Sequence, residues 1–324
     1  MKNLNCHNCG APMRLDVSGM TAVCSYCGTE YVLNHEDTDY FQRFYYQMGH
    51  LLAIGEHEQE RRKQADALWQ RAEEISFSSA DGGEIAVRYL YQFRTEDTEV
   101  YIARRNIIFR FLKNWEQKAL DCRKGVAMLD YPSADTRSLS DFFPQIAGGY
   151  ALTDNTGLLV LQKEETEYPL CLFGRLPGRH VAWIISRMEN LCCVLEYSHL
   201  VHPRFGMDTL YINPYTHQAS LYGHFWNVVK NNTPSGDHRS VYTTRDNLTA
   251  LRHTAAQLLG YPKAGMVQVT EDVPQALADF LNQPPKDTAY EDFALWDEML
   301  IKAYGERKFI RMQADDATVY GKKE

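Results

Sequence analysis

Eight cysteines occur in the chain, and four of them form two tight pairs near its start: CHNCG, carrying Cys6 and Cys9, and CSYCG, carrying Cys24 and Cys27. Two residues between thiols let both sulfurs reach one tetrahedral ion, and the glycine after each pair can take the positive φ that turns backbone N–H groups toward thiolates. Four thiolates in this spacing suit one structural Zn²⁺, with no coordination position left open for a substrate. His7 is a spacer inside the first pair and stays outside the ligand set. A second stretch, LVHPRFGMDTLYINP (200–214), brings an imidazole (His202), a guanidinium (Arg204), a carboxylate (Asp208) and a hydroxyl (Thr209) close together in sequence. Arginine has no acceptor and does not deprotonate, so the guanidinium is no proton acceptor.

Each stretch needs elements to position it. Around the cysteines, APMRLDVSGMTAV reads as a short hairpin between the knuckles and TEYVL as a closing strand. The segment 1–35 therefore resembles a zinc ribbon, in which one Zn²⁺ on Cys6, Cys9, Cys24 and Cys27 takes the place of a hydrophobic core. Its charged side chains are Lys2 and Arg14 against Asp16 and Glu30. With four thiolates added, that balance argues against nucleic acid and for a protein-facing ribbon.

At 324 residues, 44% hydrophobic and 12% aromatic, the chain can bury a core larger than one average domain needs. The net charge of −8 is spread without long single-sign blocks and directs the molecule to neither nucleic acid nor an anionic membrane. No run of about 18 uncharged apolar residues occurs and the start lacks a signal-peptide stretch, so a cytoplasmic protein with no membrane partner is expected. In a reducing compartment Cys122, Cys171, Cys192 and Cys193 are expected as buried thiols.

From 36 to 83 the sequence reads as a helical connector and linker. Helix formers and charges of both signs run to about Ile75, and Leu51, Leu52, Ile54, Ala65, Leu68, Trp69 and Ala72 supply the packing side. FSSADGGE (77–84) reads as a linker or turn. Beyond it, EIAVRYLYQFRTEDTEVYIARRN gives two β-rich runs around a polar turn. A helix follows over about 111–129, then two strands around an Asp-Asn-Thr-Gly turn. Ile184, Met188, Leu191 and Leu195, at i, i+4, i+7 and i+11, mark a buried helical stripe leading into 200–214. INPYTHQASLYGHFW then reads as a short hairpin, and the remainder is helical. The order is that of an α+β protein.

That order, together with the spacing of 200–214, resembles a protein kinase domain over 84–324, with 84–170 as the N-lobe and 171–324 as the helical C-lobe. The resemblance sets VYIARR as the strand with the nucleotide-gripping Lys, leaving Arg104 or Arg105 in its place, and Asp121 as stand-in for the paired Glu. His202 matches the His of the catalytic loop, but Arg204 stands where the catalytic Asp belongs and Thr209 where the metal-binding Asn belongs. Gly223, His224 and Phe225 replace Asp-Phe-Gly, and no Gly-rich phosphate loop precedes the strand with Arg104 and Arg105. Asp246 matches the Asp that supports the catalytic loop. A kinase needs that base and those Mg²⁺ ligands for positioning and charge neutralisation.

The resemblance thus implies a pseudokinase, a scaffold or regulator that works through protein contacts, in the manner of ribbon-plus-kinase chains of bacterial stress-response and conflict systems. For single residues the expectations are structural. His202 bonds the loop backbone, Arg204 pairs with an acid such as Asp208 or faces solvent, and His217, His224 and His253 form no metal site. Two other readings stay open: an atypical nucleotide-dependent enzyme holding phosphates on Arg104, Arg105 and Arg204, and nucleic-acid binding by the ribbon.

Overall fold

The structure is a computed structural model, and it describes residues 9, 11, 13–15, 21–24, 26–27, 30–32, 60–133, 135–234, 241–261, 266–305, 310 and 312–321. The chain divides into two compact units, Met1–Arg71 with Lys308–Glu324, and Ala72–Arg307.

In the first unit, strands β1 (Met13–Leu15), β2 (Thr21–Cys24) and β3 (Glu30–Val32) form an antiparallel sheet in that order. Helix α1 spans 60–70. Ala65 is buried and Leu68 and Trp69 half-buried, the i, i+3, i+4 stripe expected of an amphipathic helix. Leu51, Leu52 and Ile54 lie outside the described residues.

The helix does not continue to Ile75. Glu73–Ser78 form strand β4, paired antiparallel with β5 (Glu84–Tyr89). Ile75 and Phe77 turn toward cover while Glu74, Ser76 and Ser78 stay exposed, a period of two that no helix satisfies. The segment 79–83 is the turn of this hairpin, where Gly82 takes φ 89° and Ser79 N–H bonds Gly83 O at 2.8 Å. The second unit accordingly starts at Ala72, ahead of Glu84.

The run EIAVRYLYQFRT divides at Leu90 into β5 and β6 (Tyr91–Thr95), which belong to different sheets. With β7 (Thr98–Ile102), β8 (Asn106–Phe111), β9 (Gln145–Ala151) and β10 (Gly157–Gln162), β6 forms an antiparallel sheet ordered β6-β7-β8-β10-β9. The apolar run of the inner strand β10 is buried at Leu158, Leu159 and Leu161 and half-buried at Val160. Helix α2 (Trp115–Ala127) lies between β8 and β9 in sequence and buries Ala119, Cys122 and Gly125.

The helical half is organised by α3 (Gly178–Tyr197), in which Ile184, Met188, Leu191 and Leu195 are buried as their spacing requires. It packs against α4 (Thr244–Leu258) and α6 (Ala289–Tyr304), with α5 (Gln275–Asn282) between those two in sequence. Arg252 of α4 makes a two-pronged ion pair with Asp292 of α6 at 2.7 and 2.9 Å, both side chains almost fully buried. The short strand β11 (Tyr168–Pro169) precedes α3; β12 (Leu200–Val201) and the hairpin β13 (Leu210–Asn213) with β14 (Gln218–Leu221) follow it, and β11 pairs with β13. Among the described residues no helix is long and apolar enough to cross a membrane.

Candidate functional site

The end of β2 delivers Cys24, buried, next to Cys9, with the two sulfurs 3.4 Å apart. The sulfurs of Cys9, Cys24 and Cys27 all lie within 4.8 Å of one another. A tetrahedral zinc with Zn–S bonds of about 2.3 Å sets its sulfurs about 3.8 Å apart, so this trio fits one ion. Burial pushes the Cys24 thiol up, a cost that a cation bound to the thiolate offsets. Cys6 lies outside the described residues. Zinc held here would crosslink the two knuckles.

Of the other candidate residues, His202, Thr209 and Gly223 are linked by hydrogen bonds, and Arg204 beside them reaches Glu96 of the sheet half. His202, 1% exposed, is held from both sides of its backbone: its N–H donates to Asn247 Oδ1 (3.2 Å) and its carbonyl accepts from Asn247 Nδ2 (2.8 Å). Its ring Nε2 bonds Gly223 O at 3.0 Å. Burial depresses the imidazole to about 3, so it is neutral at physiological pH. The ring thus meets a backbone carbonyl beyond the β13–β14 hairpin, and it is Asn247, not Asp246, that bonds the His202 backbone. Asp246 faces outward and closes the capping box of α4, accepting from Thr243 N–H at 2.7 Å. One position along a helix turns a side chain by about 100°, which leaves Asn247 rather than Asp246 facing the loop.

Thr209 is buried and closes its own loop, its hydroxyl accepting from Gly206 N–H at 3.0 Å while its carbonyl receives Tyr222 and Gly223 N–H groups. A Cβ at Gly223 would stand 2.7 Å from Asp208 O and from Thr209 Cα, so only glycine fits that crossing. Arg204 pairs with Glu96, at the tip of the β6–β7 hairpin, and not with Asp208. Arg204 holds the Glu96 carboxyl below the usual range. The adjacent Asp97 pairs with Lys118 of α2 at 2.5 Å, and Lys118 lies over the Phe111 ring. Both acids of the hairpin tip are thus committed to cations of this unit.

Behind the tip, aromatic rings fill the junction. Trp226, 7% exposed, sits edge-on to Phe109 at 5.2 Å and to Phe111 at 4.7 Å. The strand directly before α2 is β8, not VYIARR, and its α2-facing positions are phenylalanines. Sequence reading missed this because RNIIFRF lacks a lysine to mark it; the signal available was the mostly apolar run Ile107 to Phe111 just before the Asn114 cap. Arg104 and Arg105 lie in the β7–β8 turn, both paired with Glu165. Asp121 is half-exposed on α2, accepting from Gln117 at 2.8 Å.

The segment joining β10 to the helical half is also satisfied internally. Lys163 Nζ donates to the carbonyls of Arg104 (3.0 Å) and Glu164 (2.9 Å), and Glu164 N–H donates to Glu167 Oε2 at 2.7 Å. Among the other histidines, His217 packs edge-on against Trp183 at 5.1 Å and His253 is exposed on α4. Among the described residues the three cysteines are the sole grouping of metal-ligating side chains with ligand atoms this close.

A five-stranded antiparallel sheet with a helix inserted after its third strand, then a helical half whose first long helix leads into a loop and short hairpin, is a protein kinase-like architecture. No family model matches the chain. No curated protein matches it either. Solved structures of similar fold include the ROP18 kinase domain in complex with AMP-PNP and sucrose, at 13% identity over 79% of this chain and 92% of that one, TM-score 0.49. A Toxoplasma gondii specific rhoptry antigen kinase domain is 11% identical over 76% and 92%, TM-score 0.48. Vaccinia related kinase 3 is 14% identical over 76% and 93%, TM-score 0.48.

Proposed function

We propose that the chain is a non-catalytic, kinase-like protein of the cytoplasm that acts by contacting other proteins, with one structural zinc in its N-terminal ribbon. The observation that carries this reading is the ion pair between Arg204 and Glu96. The loop position that would have to accept a proton from an acceptor hydroxyl holds a cation instead, and that cation is bound to the hairpin that would cover a nucleotide's phosphates. At the hairpin tip Glu96 and Asp97, tied to Arg204 and Lys118, stand where a Gly-rich turn would donate N–H groups to a triphosphate. Trp226, Phe109 and Phe111 occupy the space behind, and the Lys163 and Glu167 bonds consume backbone groups that a base would otherwise use.

The test is a thermal-shift titration with ATP, with and without Mg²⁺ or Mn²⁺. The reading expects no shift in any combination. A metal-dependent rise in Tm would replace it with an atypical nucleotide-dependent enzyme. A salt-sensitive gel shift with duplex or single-stranded nucleic acid would instead assign the ribbon to that partner.

A further inference from the structure

The face of loop 203–209 that turns toward α4 is open. A pocket of about 440 Å³ lies there, inside the range of roughly 300–1,000 Å³ typical of ligand sites. Pro203, Phe205 and Met207 supply apolar wall, and His253 and Gln257 of α4 stand among its polar lining. His224 also lines it. That residue is 4% exposed, and among the described residues no hydrogen bond reaches its ring. Its backbone is held at φ 53°, a left-handed conformation that costs a non-glycine residue energy and persists only where the surroundings impose it.

The charges around the pocket select its ligand. Arg204 is engaged by Glu96, Lys118 by Asp97, and Asp208 adds a further carboxylate to the lining. The one arginine of the lining is thus offset by Glu96 and accompanied by Asp208, which disfavours an anionic ligand. Burial lowers the His224 imidazole to about 4, so at neutral pH its ring has one acceptor nitrogen and one N–H beside apolar wall, and the acceptor suits a flat, uncharged ring carrying one O–H or N–H. Side chains of that kind anchor protein interfaces by filling pockets.

We propose that this pocket receives a tyrosine or tryptophan side chain of a partner protein, with the ring against Phe205 and Met207 and the O–H or N–H donated to His224. The inference rests on the protein-contact reading and names its anchor.

The experiment uses the full chain with ¹³C-methyl methionine, the Met207 signal being assigned by Met207→Leu. It is titrated with the N-acetyl amides of tyrosine, tryptophan, phenylalanine and leucine, and with adenosine. The expected result is a saturable Met207 shift in the low-millimolar range with tyrosine and tryptophan amides, at least about tenfold tighter than with leucine amide. Gln257→Trp, which fills the pocket from its rim, abolishes the shift while the other methionine signals stay in place. His224→Phe removes the preference for tyrosine over phenylalanine. Absence of a saturable Met207 shift with both aromatic donors overturns the proposal, as does adenosine binding as tightly as tyrosine amide, which would make the pocket a site for bases. The ATP thermal-shift titration is independent of this result, so the pocket can fail while the non-catalytic reading stands.

Discussion

Asn247 and Asp246 differ by one position and by one job. Asn247 satisfies two buried backbone groups of His202, and an unsatisfied buried group costs about 1–3 kcal/mol. Asn247→Ala is therefore expected to cost about 2 kcal/mol or more in urea unfolding, and Asp246→Ala, which only loosens an exposed cap, about 1 kcal/mol or less. The reverse ranking would return the loop's support to Asp246. Glu189, fully buried on α3, is a second case. Burial, with the neighbouring Asp292 carboxylate adding to it, pushes its carboxyl well up. A folded-state pKa above the unfolded one means that stability is fullest below about 4.5 and is lost as pH rises toward the folded value. Glu189→Gln stays neutral throughout, so it is expected to raise Tm, and to raise it more at pH 8 than at pH 5. An equal gain at both would remove the buried-acid account.

Among elements, the contact between β8 and the 3₁₀ turn Phe225–Asn227 joins the sheet half to the helical half. Trp226→Ala leaves a cavity between Phe109 and Phe111, and truncations of this kind cost about 3–5 kcal/mol. Calorimetry should show the Ala72–Arg307 transition fall accordingly; a change under about 1 kcal/mol would mean the ring is not packed between those strands. The Arg204–Glu96 pair is a different kind of contact. Arg204 is 39% and Glu96 63% exposed, so the pair adds little stability and serves to place the hairpin tip. On the same face of the sheet, directly opposite Phe111, Gly157 admits no side chain, because a Cβ there would stand 2.2 Å from Trp115 of α2.

For the whole molecule, two compact units imply two sources of stability. The ribbon is too small to be held by apolar burial alone, and a metal supplies what it lacks. One zinc per chain is expected by elemental analysis. Its removal by a chelator, or Cys24→Ser, should unfold the ribbon and leave the unfolding transition of Ala72–Arg307 in place. Loss of both transitions together would show that the larger unit depends on the ion. The larger unit carries the aromatic-filled junction and the buried Arg252–Asp292 pair, where removing one partner costs about 3–5 kcal/mol.

The sequence alone determined the features set by short-range spacing. The Cys-x-x-Cys pairs, the α3 stripe, the β13–β14 hairpin and the identities at 202, 204 and 209 each depend on neighbours a few residues away. A local pattern also placed α2, while α4 and α6 were placed by the kinase-like order of elements. Tertiary structure decided what depended on partners distant in the chain. Glu73–Ser78 became a strand because β5 offered a pairing edge, which ended the helix-forming run of the preceding residues. Arg204 met Glu96 rather than Asp208, and Asn247 rather than Asp246 faced the loop, because helix phase and hairpin reach are properties of packed elements. Burial is the physical reason throughout: it requires each polar group to find whichever partner the fold brings near, and no local pattern encodes that distance.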